Sequence, residues 1–441
     1  MTEDVLAKLV APPTGTPAPQ VRRSLAAGVV LGALLPVAAA AQPIFGGFVE
    51  AVQALRVENN RALQDGRFEA RTYPRSEVRA QLTARGFGER GGFFIRADVV
   101  RDMSGSADDD VEVDLREAFV TVQPIGWLDL KIGRQVATWG TGDLIFANDL
   151  FAKGWEAFFT ALDDSYLKPP QDLLRLSAYF GGTTVEVAAS PRFTPDNLPD
   201  GRRVSVYNPF LQRTVGASDA PVIEPRSRTL HHGELFARIQ GQAHSAEWAV
   251  YGYKGFWPTP QGATTFGTLS YPQLAAFGGS ARAPLGASLF HAELAYYLSQ
   301  DDVDGNDPLV GNSEIRAFAG VERSLATDFT LGVQYLIEWM QDYTGFLSGK
   351  ASGSPTVDET RSTVTLRLHK LALQQNLQLG VFAYWGVSDQ DWHVRPVVGY
   401  KQGDAIQWTA GASLIGGDEP FTRFGSFRNN SNVFGRVRYS F

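Results

Sequence analysis

The sequence has no cysteine. That removes thiol catalysis, disulfide bonds and cysteine-ligated metal from consideration. An excess of positive charge is missing too. The 40 Lys and Arg face 47 Asp and Glu, for a formal charge of −7, which argues against a nucleic-acid partner. Long apolar runs are almost absent. One exists, SLAAGVVLGALLPVAAAA at residues 24–41, directly after Arg22 and Arg23 and holding Pro36. A basic start, an apolar stretch and a small-residue end read as a secretory signal peptide cleaved after Ala41, against the alternative of an anchoring helix. The twenty residues before it do not suit such a signal, and translation is expected to begin at Val21; a long n-region is the alternative. The plan is therefore 1–41, extension and signal, and 42–441, one unit with no internal repeat and no second domain. Loss of residues 1–41 leaves a net charge of about −8, since three basic and two acidic residues go with them. No other run is long enough for a transmembrane helix, so a membrane-embedded mature chain has to be a barrel.

What fills the rest is period two. In FTLGVQYLIEW (329–339), Phe329, Leu331, Val333, Tyr335, Ile337 and Trp339 share one face against Thr330, Gly332, Gln334 and Glu338. TRSTVTLRLH (360–369) and SEVRAQLTAR (76–85) alternate in the same way. Such segments occur near 47–57, 75–85, 92–101, 112–122, 127–138, 172–180, 183–190, 233–240, 246–256, 273–283, 287–298, 313–324, 329–340, 359–369, 377–386, 392–401, 405–415 and 432–441. Each has about the length of a tilted strand crossing a bilayer. The connections alternate: tight at 181–182, 284–286 and 402–404, long at 139–171, 191–232, 257–272 and 341–358. The expected fold is all-β, a transmembrane antiparallel up-and-down barrel of about eighteen strands (sixteen is the alternative), with short periplasmic turns and long external loops. Trp127, Trp339, Trp385, Tyr400, Trp408, Tyr439 and Phe441 lie near strand ends, where interfacial girdles form.

Other motifs resolve blandly. GFGERG (86–91) fits a dinucleotide fingerprint in letters, but it lies between alternating strands instead of opening a helix, so it reads as a turn. The six His show no ligand spacing, and no metal site or cofactor is expected. DDVDGND (301–307) reads as a solvated external loop that divalent ions could bridge to lipopolysaccharide. No nucleophile with an adjacent base can be named, so no catalytic residue is assigned.

The final strand, NVFGRVRYSF (432–441), ends on Phe441 with Tyr439 and Val437 at alternate positions before it. It resembles the C-terminal signal of bacterial outer-membrane proteins, which implies recognition by the barrel-assembly machinery through Val437, Tyr439 and Phe441. The G-R-Q-x3-W-G element from Gly133 to Gly140 resembles one in several proteobacterial outer-membrane barrels. A looser similarity runs to porins and alginate-export-type barrels. In porins a long external loop often folds inward, and connection 139–171 is the counterpart here. It carries Asp143, Asp149, Lys153, Glu156, Asp163, Asp164 and Lys168 among Trp155, Phe158, Phe159 and Tyr166. That apolar content suits a loop packed inside a barrel better than one in water; a cover over the outer mouth is the alternative.

Charge on lipid-facing strand positions is costly, so charged strand residues are assigned to the lumen. The inward basic set is Arg79, Arg85, Arg96, Arg175, Arg238, Arg282, Arg316, Arg361, Arg367, Arg395, Lys401, Arg436 and Arg438. The inward acidic set is Glu77, Asp98, Glu234, Glu293, Glu314, Glu322 and Glu338. Thirteen against seven gives a wall of about +6 and leaves about −14 for the rest. Arginines guide anions, and Arg79, Arg96, Arg134, Arg361, Arg367, Arg395, Arg436 and Arg438 are the candidate solute contacts. The structural alternative is arginine paired with wall carboxylates and the acidic loop. The functional expectation is an outer-membrane channel for passive diffusion of small anionic solutes. An export channel working with periplasmic or inner-membrane partners is the rival, and a barrel enzyme or adhesin a third class.

Overall fold

A computed structural model describes residues 42–63, 72–104, 111–226, 232–264, 267–350 and 354–441. The expected signal peptide and the start at Val21 lie outside them. Each alternating segment becomes a strand. In chain order these are β1 Ile44–Arg56, β2 Arg75–Gly88, β3 Gly91–Asp102, β4 Val111–Ile125, β5 Leu128–Gln135, β6 Gln171–Phe180, β7 Thr183–Ser190, β8 Glu234–Ala243 and β9 Ala246–Phe256. They continue as β10 Gln273–Leu285, β11 Ser288–Ser299, β12 Glu314–Ala326, β13 Phe329–Met340, β14 Thr360–Ala372, β15 Leu377–Gly386, β16 Asp391–Gln402, β17 Ile406–Gly417 and β18 Asn432–Ser440. Every strand pairs antiparallel with its chain neighbours, and β18 pairs with β1 from Asn432↔Arg56 to Ser440↔Phe48. The sheet is thus an eighteen-stranded closed barrel with no free edge, the one β arrangement that satisfies all backbone groups within hydrocarbon.

The register fixes two faces. Val49, Leu82, Leu176, Val250, Leu294, Tyr335, Leu366, Val398 and Val433 point outward and are exposed, giving the apolar exterior that lipid requires. The seven expected girdle aromatics are all exposed large side chains. No helix among the described residues is long and apolar enough to span a membrane. A closed barrel with this exterior is a transmembrane barrel of the bacterial outer-membrane type, and its short turns mark the periplasmic end.

Two departures from simple alternation matter. Strand β5 stops at Gln135 instead of reaching 138. Gln135 is fully buried and its amide donates to the Gly133 and Leu173 carbonyls, after which the chain leaves the wall. In β4 a bulge interrupts the register: Arg96 pairs with Glu117 and Ala97 with Leu115, so Arg116 is the extra residue. A bulge re-aims its side chain, and Arg116 is turned onto the Tyr166 ring, 4.5 Å away.

Candidate pore constriction

The connection between β5 and β6, residues 136–170, is built from two apolar stretches with acidic residues set in and between them. In the first, Trp139, Ile145, Ala147, Leu150 and Phe151 are buried together with Phe236, Tyr251, Tyr253, Tyr297, Phe318 and Leu336, all inward-facing residues of β8 to β13. Phe151 stacks on Phe236 at 4.2 Å, and Trp139 meets both rings edge-on. In the second, Phe158, Phe159 and Leu167 are buried with Phe382, Tyr384, Ile415 and Phe424. Aromatic loop residues and aromatic inward wall positions remove each other from water, and this burial is the main attraction between loop and wall.

Polar contacts set the register of that packing. Glu293, near the middle of β11, accepts from the Thr141 amide, the Asn148 amide at 3.0 Å and the Asn148 side chain at 2.8 Å. Gly278 of β10 is where Asn148 seats. A Cβ there would run into the Asn148 side-chain oxygen and the Leu294 carbonyl. Gln334 accepts from the Asp143 amide at 2.8 Å and donates to the Asp143 carbonyl at 2.9 Å. On the other side of the barrel, Tyr166 donates to Asp98 at 2.7 Å, and the Asn432 amide donates to the Phe159 carbonyl at 2.9 Å.

The candidate residues fall into this frame as follows. Arg79 is buried between Glu77 at 2.7 Å and Asp98 at 2.6 Å, beneath the Tyr166 ring. Arg96 reaches Glu117 at 3.1 Å. Arg367 holds Asp143 at 2.9 Å, and Arg395 holds Asp164 at 2.5 Å while lying over Phe158. Arg438 pairs with Glu50 at 2.6 Å and with Asp163 at 3.5 Å; Arg436 reaches Asp163 at 3.6 Å. Arg361 lies opposite Glu338 in the ladder, without an ion pair among the described contacts. Asp149 and Lys153 pair with each other at 3.2 Å, both buried. Glu156 faces Arg203 at 3.3 Å and Arg75 at 3.6 Å. Lys168 donates to Thr138 at 2.9 Å.

Electrostatics in the connection follow from these partners. Burial by itself would raise the Asp163 carboxyl, but Arg436, the Ser165 amide and Arg438 outweigh it and hold it below the usual range. Glu156 goes the other way: burial raises it, and Arg203 and Arg75 only partly oppose that.

Two expectations are corrected. Arg134 does not face the lumen. It shares the outward side with Leu130 and Ile132, opposite Ala118, where it donates to the Leu115 carbonyl at 2.6 Å and lies 3.7 Å from Asp172. The wall excess of about +6 also fails. The register adds nine inward carboxylates, Glu50, Asp102, Glu112, Asp114, Glu117, Asp129, Glu186, Glu247 and Asp391, but only four cations, Arg56, Arg75, Arg116 and Lys131. Nine against four lowers the excess by five, to about one. Of the residues missed, Glu50 is the most consequential: it is 1% exposed and meets Arg438 and Arg436. The alternation of β1 carried a signal for it, since Phe48, Glu50 and Val52 share a face.

No protein-family model matches the sequence, and no curated protein matches it. The solved structures do. The barrel is similar to OccAB3 of Acinetobacter baumannii, with 11% identity and a TM-score of 0.54 over 91% of this chain and 99% of that one. It is similar to OpdK of Pseudomonas aeruginosa, solved with vanillate, with 9% identity and a TM-score of 0.51 over 91% and 98%. At such identities the likeness is one of fold: the chain is a closed eighteen-stranded barrel built like the porins and channels of the bacterial outer membrane.

Proposed function

We propose that this barrel is a passive outer-membrane channel for small anionic solutes, narrowed by residues 139–171. The observation that carries the reading is where the loop is tied. Asp143 meets Arg367 on β14, Asp164 meets Arg395 on β16, and Asp163 meets Arg436 and Arg438 on β18. These strand positions lie well inside the barrel, not at its rim. Each guanidinium carries five donors in a planar fork, and one loop carboxylate leaves donors for a passing carboxylate or phosphate. Selection then comes from local arginine geometry, because the wall as a whole is close to charge balance. The chemistry is passage, with no bond made or broken.

Planar-bilayer recording tests this. Expected are stepwise ohmic openings and a reversal potential that favours the anion in a potassium chloride gradient. Cation preference would overturn the role given to the arginines. Silence until residues 139–171 are deleted would overturn passive diffusion in favour of a plugged export channel. For assembly, Val437, Tyr439 and Phe441 form the outward face of the last strand, and the Phe441 backbone exchanges two 3.0 Å hydrogen bonds with Gly47. Deleting Phe441 is expected to lower the amount of folded barrel in the outer membrane, read as the heat-modifiable band on a gel.

A further inference from the structure

The outward face of the barrel is nearly free of charge at its periplasmic end. Among the described strand residues, the outward positions in that half carry two charges only, Arg323 on β12 and Lys370 on β14. Both are basic, and they flank the same strand: Arg323 pairs with Leu331 and Lys370 with Phe329. Among the described residues neither has an ion pair; Lys370 donates to the Thr327 carbonyl at 2.7 Å, which leaves two of its three donors. Beside Lys370 a groove of about 430 Å³ runs across β13 to β17. Leu368, Leu379, Val381 and Val398 wall it, and Ala410 and Ala412 form its floor. Pro396 lies in it, where the β16–β17 ladder skips the pairs at Arg395 and Pro396 because proline has no N–H to give. Phe329 closes the end next to Lys370.

We infer that this groove holds one acyl chain of an anionic phospholipid of the periplasmic leaflet, with Lys370 and Arg323 on its phosphate. An apolar trough opening to hydrocarbon fits a chain, and Lys370 at its interfacial end, with Arg323 across β13, complements a headgroup of net negative charge. A zwitterionic lipid fits the trough but offers the cations no net charge.

The test is native mass spectrometry of the full chain in detergent, incubated with equal amounts of phosphatidylglycerol and phosphatidylcholine. Wild type is expected to retain one phosphatidylglycerol at least fivefold over phosphatidylcholine. R323Q/K370Q is expected to lose that preference, and A412F to lose retention of both lipids, while Arg101→Gln, outward at the opposite end, changes neither. Heat-modifiable migration checks that each variant is folded, and R323Q or K370Q alone serves where the double variant is not. Equal retention of the two lipids by wild type, or an unchanged preference in folded R323Q/K370Q, would overturn the assignment. So would a disulfide-linked dimer formed by Leu379→Cys in membranes, because a second copy would then cover the groove.

Discussion

Asp163 and Glu156 sit in one loop, and their carboxyl pKa values are displaced in opposite directions. Asp163 has a folded pKa below its unfolded value. Its tie to Arg436 and Arg438 is therefore complete above about pH 4 and is lost only as pH falls further. Glu156 has a folded pKa raised by burial, so it takes its proton first on acidification and weakens its pairs with Arg203 and Arg75. Conductance measured against pH is expected to change in two steps. The upper step should vanish in Glu156→Gln and the lower one in Asp163→Asn. Asp163→Asn should also raise anion preference at neutral pH, because two guanidiniums lose a carboxylate. A single step unaffected by either substitution would assign the titration elsewhere. At this scale the sequence was informative wherever one rule dominated. Every arginine of the inward set lies on the inward parity because charge facing hydrocarbon is costly. Arg134 escapes the rule because it stands at the loop end of β5, where Asp172 and the Leu115 carbonyl satisfy it outside the lumen.

Strands were legible because period two is a property of each segment alone, and all eighteen appear close to where the alternation placed them. The loop was legible in content but not in detail. Its apolar residues announced a packed segment, yet their partners are inward aromatics such as Phe236, Tyr251 and Tyr384, at positions where a barrel lumen is ordinarily polar. The bulge at Arg116 was not legible, since one extra residue leaves no mark on a pattern that simply resumes. Trp139 tests the element. It is 6% exposed, donates to Glu186 at 2.7 Å and packs on Phe151 and Phe236. Trp139→Ala is expected to weaken loop docking by about 3–5 kcal/mol, seen as faster proteolysis of residues 136–170 in a barrel that still migrates as folded. Gly278→Ala attacks the same docking from the wall, since its Cβ meets Asn148. The Leu294 carbonyl of the neighbouring strand is in the way too, so the variant should fold in lower yield, and its channels should show more conductance noise.

The whole molecule depends on one long-range pairing, β18 with β1, across nearly the entire chain. Hydrogen bonds close the seam, and a buried charge cluster lies behind it. Glu50 is opposite Arg79 on one side and Arg438 on the other, and reaches Arg438 at 2.6 Å and Arg436 at 3.8 Å. A pair of this kind is weak evidence of net stability, because desolvation offsets the attraction, but breaking it leaves a buried charge uncompensated. Glu50→Ala is therefore expected to cost about 3 kcal/mol, read as a lower midpoint for heat conversion of the folded gel band. The double variant Glu50→Ala with Arg438→Ala should cost less than the sum of the single ones, because removing both partners takes away the stranded charge. Strict additivity would mean that Glu50 and Arg438 act independently, and that the seam is held by its backbone ladder and outward apolar face alone.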